Sequence, residues 1–174
     1  MKTLLSVAAL MLLIVMTRPV VLAQTDDDDD DQDQAVLAKV LSTAKVTLEA
    51  GLAATSAEGR PISGKFEMEK GKPQLSVYTE KSGKFYEVVV DHVTGKVVKS
   101  EPITEAEDLA AAKGQSEVMS KAKLSLGAAV GKAVAANGGF RALSVFPEAK
   151  DGHPVATVKV VKGQDWKMVS ESLE

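Results

Sequence analysis

The sequence predicts an α+β fold: two tandem modules, each a helix packed on a three- to four-stranded antiparallel sheet. Three observations predict it. Apolar residues recur at helical spacing and then switch to strict alternation, and the switch happens twice along the chain. The alternating runs are separated by short, Gly-containing turns, which make neighbouring strands antiparallel. The two halves also match one another at a nearly constant offset.

The first helical stretch starts at Ala35, with Leu37, Leu41, Ala44, Leu48 and Leu52 on one face. Gly59-Arg60-Pro61 should end it, because glycine suits the left-handed cap and proline cannot continue the ladder. Ile62, Gly64, Phe66 and Met68 then alternate with polar residues, as a half-buried strand does. Gly71-Lys72-Pro73 turns the chain into a second strand through Leu75, Val77 and Thr79. Ser82-Gly83 leads to a third, Phe85 to Asp91, and after Thr94-Gly95 the segment Lys96-Val97-Val98 extends the sheet briefly. Ser100 to Ile103 reads as a connector.

Thr104 followed by Glu107 has the spacing of a capping box. A long second helix should run from there to Asn137-Gly138-Gly139, bent at Gly114. Strand-like segments follow at Phe140–Phe146, Val155–Val161 and Asp165–Ser170.

Ala44-Lys45-Val46-Thr47-Leu48 aligns with Ala122-Lys123-Leu124-Ser125-Leu126 at an offset of 78. Gly71, Val77, Phe85 and Val88 align with Gly152, Val158, Trp166 and Val169 at 81, with the difference of three placed as an insertion in a turn region. Phe85 and Trp166 are expected in the core, an exposed aromatic anchor being the alternative at such a position. The second copy stops where the first makes its Asp91-to-Val98 turn and last extension. Its missing strand should leave an open edge at Val155–Val161. Modules of 60 to 70 residues are marginal alone and are expected to pack together.

The N-terminus reads as a secretory signal over residues 1–23. Leu4 to Met16 is an uncharged run of 13 residues, shorter than the ~20 of a spanning helix. Val21-Leu22-Ala23 predicts cleavage before Gln24, with an uncleaved anchor as the alternative. Zero cysteines exclude disulfides, thiolate metal sites, a cysteine nucleophile and a lipid-bearing cysteine. A periplasmic or secreted location follows, bacterial in the first case.

Residues 24–34 form an acidic linker, expected to be disordered, with Asp26, Asp27, Asp28, Asp29, Asp30 and Asp31 in one run. These six are weak candidate ligands for a divalent cation; the competing reading is a solubilising spacer. Beyond that linker the charge is close to balanced, and aromatics are 4% of the chain. Neither suits nucleic acid, which calls for a basic face or stacking rings.

The helix with its Ala-rich face, Gly71-Lys72-Pro73, and Tyr86-Glu87-Val88-Val89-Val90-Asp91 followed by Thr94-Gly95-Lys96-Val97 resemble a PepSY domain. Leu75 stands where that family usually has tyrosine, and the second copy lacks the Asp…Thr-Gly ending. The modules so defined cover 35–100 and 105–174. The resemblance implies a helix on an antiparallel sheet, export, no catalytic centre and no cofactor. It also implies a protein or peptide partner, a protease among them, through inhibition or regulation. Its motif turn, Asp91, Thr94 and Gly95, is the candidate site; the bare reading of those residues is an Asx-stabilised turn.

Other constellations carry less. Gly59 to Lys65 has P-loop spacing, but Phe66 replaces the hydroxyl residue that would hold magnesium. Ser42 and Lys45 have S-x-x-K spacing in a helix without the companion motifs. His92 and His153 give one histidine per module, too few for zinc. The expected function is a non-catalytic exported binding protein that captures a partner on a sheet edge or on the face opposite the helix. The alternative is a cation-binding or buffering envelope protein using the aspartates.

Overall fold

The structure, a computed structural model, describes residues 40–174. The signal segment and the aspartate run lie outside the described residues. Residues 40–43 are helical and are followed by α1 (Leu48–Ala54). Strands β1 (Arg60–Glu69), β2 (Lys72–Lys81), β3 (Lys84–Val90) and β4 (Val97–Pro102) come next. Helices α2 (Ala106–Lys121) and α3 (Leu126–Ala136) precede β5 (Arg141–Lys150), β6 (His153–Lys162) and β7 (Asp165–Ser172).

The α+β class and the antiparallel pairing are present, but the strands form one sheet rather than two. Its order is β4-β3-β2-β1-β5-β6-β7. Gly64 of β1 lies opposite Val145 of β5, and Lys65 opposite Ser144. Gly64 and Val145 are 81 apart, so the halves meet about a local two-fold through equivalent residues. Two separate sheets would leave these buried strand edges without hydrogen-bond partners; joining them satisfies both.

The same offset runs through the pairing. Phe66↔Leu75 and Pro147↔Ala156 have one register, and so do Val77↔Val88 and Val158↔Val169. Bulges fall at Ile62 and at Leu143, again 81 apart. Lys70-Gly71 and Asp151-Gly152 are both left-handed turn pairs, with φ of 51° and 76° in the first and 53° and 84° in the second. His153 is the first residue of β6. The three extra residues lie between helix start and first strand, since the offset is 78 at Leu48 and Leu126 and 81 at Arg60 and Arg141.

Both long helices of the sequence pattern are broken. Thr47 caps α1, its hydroxyl accepting from Ala50 N at 3.2 Å, and Ser125 caps α3 by accepting from Ala128 N at 3.2 Å. Before each cap two N–H groups leave the helical ladder. Lys45 N and Val46 N donate to the His92 carbonyl; Lys123 N and Leu124 N donate to that of Leu173. Hydroxyl residues in apolar helical patterns marked these breaks, and periodicity alone passed over them. Thr104 and Glu107 form no capping box. Glu105 is the N-cap and makes no side-chain cap bond, and Gly114 sits inside an intact helix.

α1 and α3 pack side by side on one sheet face. Leu48, Leu52, Phe66, Leu75, Val77, Leu126, Val130, Val145 and Val158 are buried between them and the sheet. Gly51 lets α1 press on β2, since a Cβ there would lie 2.2 Å from Leu75 Cδ2. α2 crosses the opposite face, where the Ser63 hydroxyl donates to Gln115 Oε1 at 2.7 Å. That helix turns β1 from half-buried to buried on both sides at Ser63, which is 1% exposed. Ser100 to Pro102, read as a connector, belongs to β4. Phe85 is buried as expected, but Trp166, on the outer strand β7, is 47% exposed.

Candidate functional site

The motif turn is built around one carboxylate oxygen. Asp91 Oδ1 accepts from Val93 N at 3.1 Å, Thr94 N at 2.6 Å and the Thr94 hydroxyl at 2.9 Å. Gly95 N donates to the Asp91 carbonyl at 2.8 Å, and Gly95 has φ +74°, a conformation glycine adopts without strain. The backbone and hydroxyl bonds from Thr94 hold the Asp91 carboxyl below the ordinary carboxylate range. Asp91, Thr94 and Gly95 are therefore brought together, and the Asp91 oxygen that they share is occupied by the chain itself. The turn sets the His92 carbonyl where it receives Lys45 N and Val46 N.

In the second half Ser172 stands at the position of Asp91. Its hydroxyl accepts from Glu174 N at 3.2 Å, as Asp91 accepts from Val93. Leu173, fully buried, does the work of His92. Glu174 meets His153 Nδ1 at 3.0 Å, and that bond lowers its carboxyl pKa.

Replacing Asp91 with alanine should speed amide exchange at Val93 and Thr94 by on the order of tenfold. Because the folded-state pKa is depressed, the stabilisation is complete above the ordinary carboxylate range and is lost as pH falls through the lower folded-state pKa. Acidification should therefore remove the difference in exchange between wild type and variant, measured at the same pH, at these two amides. Equal exchange in both proteins at neutral pH would rule this out.

A polar strip lies on the α2 side of the sheet. Lys65 Nζ meets Glu67 Oε2 at 2.6 Å and lies 5.8 Å from the Tyr78 ring centre. Gln74 Nε2 donates to Glu67 and Ser76, and the Ser76 hydroxyl donates to Glu87 at 2.9 Å. Burial disfavours both charges of the ion pair. The bonds between them win, raising the pKa of Lys65 and lowering that of Glu67. Both shifts move away from neutrality, the reverse of what a general acid or base needs. Among the described residues no group of three or more His, Asp or Glu is placed to hold a metal ion.

Two arginines, 81 residues apart, were missed in the sequence. Arg141 of β5 donates to the carbonyls of Leu41, Ala44 and Val46, at the first helix break. Arg60 of β1 donates to Met119 O at 3.0 Å and to Ser116, at the end of α2. Each half thus clamps helix-end carbonyls of the other. The signal was available, since they are the only arginines after residue 18 and share the repeat offset. Beside Arg60 opens a cleft of about 420 Å³, lined by Leu52, Ala53, Met119, Leu124 and Leu126.

The two outer strands differ. Ile103 N donates to Phe85 O, which in an antiparallel register turns the backbone of Ser100 and Pro102 outward from β4. Pro102 has no N–H, and a register shift opposite Val97 breaks the edge further. Across β6 and β7, Leu173 N donates to Pro154 O. That register turns the backbone of Trp166, Met168, Ser170 and Ser172 outward along eight regular residues. The side chains of Trp166 and Met168 are 47% and 53% exposed. Lys159 Nζ lies 4.7 Å from the Trp166 ring. Among the described residues the outer edge of the second half is β7; Val155–Val161, where it was expected, is paired on both sides.

Among the described residues no helix is long and apolar enough to cross a membrane. No curated protein and no solved structure matches the chain. Residues 33–101 match the PepSY family model, described as peptidase propeptide and YPEB domain.

Proposed function

We propose that the chain is an exported, non-catalytic binding protein that takes up an extended segment of a peptide or protein by strand addition to β7. The family's description points to a peptidase as the partner class. The observation that carries the reading is the contrast between the edges. β4 is blunted by Pro102 and an irregular register, whereas β7 offers a regular backbone row beside exposed Trp166 and Met168. The second half, 105–174, is a degenerate copy of the PepSY unit, and residues 1–23 direct export.

The test is capture from an extracytoplasmic extract of the source organism, followed by amide exchange on the complex. The amides of Trp166, Met168, Ser170 and Ser172 should exchange fast in dilute free protein and slowly in the complex. Ser170→Pro removes an outward N–H without touching the β6 ladder and should abolish capture. An empty capture, or unchanged exchange at those four positions, overturns the reading.

A further inference from the structure

We infer that two copies of this chain pair through β7, antiparallel about a two-fold axis at Val169, to make one sheet of fourteen strands. The inference rests on the reading of β7 as a docking edge and names an occupant for it. The position beyond β7 is the one that β4 fills beside β3 in the first half. Among the described residues no strand pairs with the outer side of β7, which presents an eight-residue edge there.

Charge selects the occupant and the register. Antiparallel pairing of β7 with itself must set outward-facing residues against each other. Centred on Val169, it places Trp166 opposite Ser172 and Met168 opposite Ser170. Lys167 of each copy then faces Glu171 of the other, giving two ion pairs by symmetry. Centred on Lys167, the same strands put that lysine against its own copy. Centred on Met168, they put Asp165 against Glu171. Centred on Ser170, they lose both lysine–glutamate pairs. The Val169 register also brings the two exposed Met168 side chains diagonally together across the axis. The molecule already joins its own halves this way, with β1 and β5 antiparallel about the Gly64–Val145 pair.

The experiment is sedimentation velocity over a range of concentrations on the chain purified after expression from its full coding sequence. Wild type should show a monomer–dimer equilibrium. Lys167→Glu sets glutamate against Glu171, Glu171→Lys sets lysine against Lys167, and each should weaken the dimer about tenfold or more. The double variant restores opposite charges and should restore the dimer, while loss of the Lys167–Phe140 contact, 4.5 Å from charge to ring centre, is common to Lys167→Glu and the double variant. Far-UV circular dichroism confirms that each variant is folded. A chain that stays monomeric at every concentration, yet gains β7 protection with a captured partner, overturns the dimer and leaves the edge reading standing. A dimer indifferent to both single changes overturns the register and the inference with it. Unchanged β7 exchange under all conditions overturns both.

Discussion

Replacing Arg141 with methionine is expected to lower stability by about 3 kcal/mol, the upper end for losing charged hydrogen bonds that leave buried acceptors without partners. The three carbonyls it serves lie where the first helix breaks, so none has a helical N–H to return to. Leu41 and Ala44 are 4% and 7% exposed, and water cannot readily replace the guanidinium there. Arg60 makes the equivalent contacts from a side chain 41% exposed, and Arg60→Met should cost only about 1 kcal/mol. Lysine at 141 should recover a minor part, since one ammonium cannot reach three carbonyls set for a planar fork. Urea denaturation followed by far-UV circular dichroism measures all three. Typical domains have about 5–15 kcal/mol to lose, so the first variant should be visibly less stable. Equal losses for Arg60→Met and Arg141→Met would mean the contact with residues 41–46 is not the cause.

The strands and their pairing were legible because their signals are local. Alternation, Gly-containing turns and the repeat offset placed all seven strands, and even the bulges at Ile62 and Leu143 keep that offset. What escaped was long-range. No local pattern says that β1 will pair with β5, or that α2 will cross the second face and bury Ser63. Trp166 was expected in the core because it matches Phe85, but Phe85 lies on β3 between β2 and β4, whereas Trp166 lies on β7 with a strand on one side only among the described residues. Of the candidate site, the turn of Asp91, Thr94 and Gly95 was readable as a turn from residue types alone. The edge at β7 was not, because an edge is defined by which strand is absent. The sequence pointed instead to Val155–Val161, one strand too far in.

Cut between Ile103 and Glu105, the chain should fail to fold as two pieces. Fragments 35–104 and 105–174 should each give the circular dichroism of a largely unfolded chain and no cooperative transition in urea. The family match spans residues 33–101 and ends within β4, so the first fragment carries nearly all of it. In this protein that unit has lent out three of its supports. Its β1 edge is paired with β5, its Ser63 is covered by Gln115 of α2, and its first helix break is clamped by Arg141. α1 has only 7 residues and buries its side against α3 as well as the sheet. A piece of this size is marginal even with its surfaces satisfied. Left alone, it would expose the apolar side of α1 and a row of β1 backbone groups. Mixing the fragments at equal concentration should restore sheet signal and a single transition, because every lost contact lies between them. A first fragment that unfolds cooperatively by itself would show instead that the β1–β5 seam joins two finished domains.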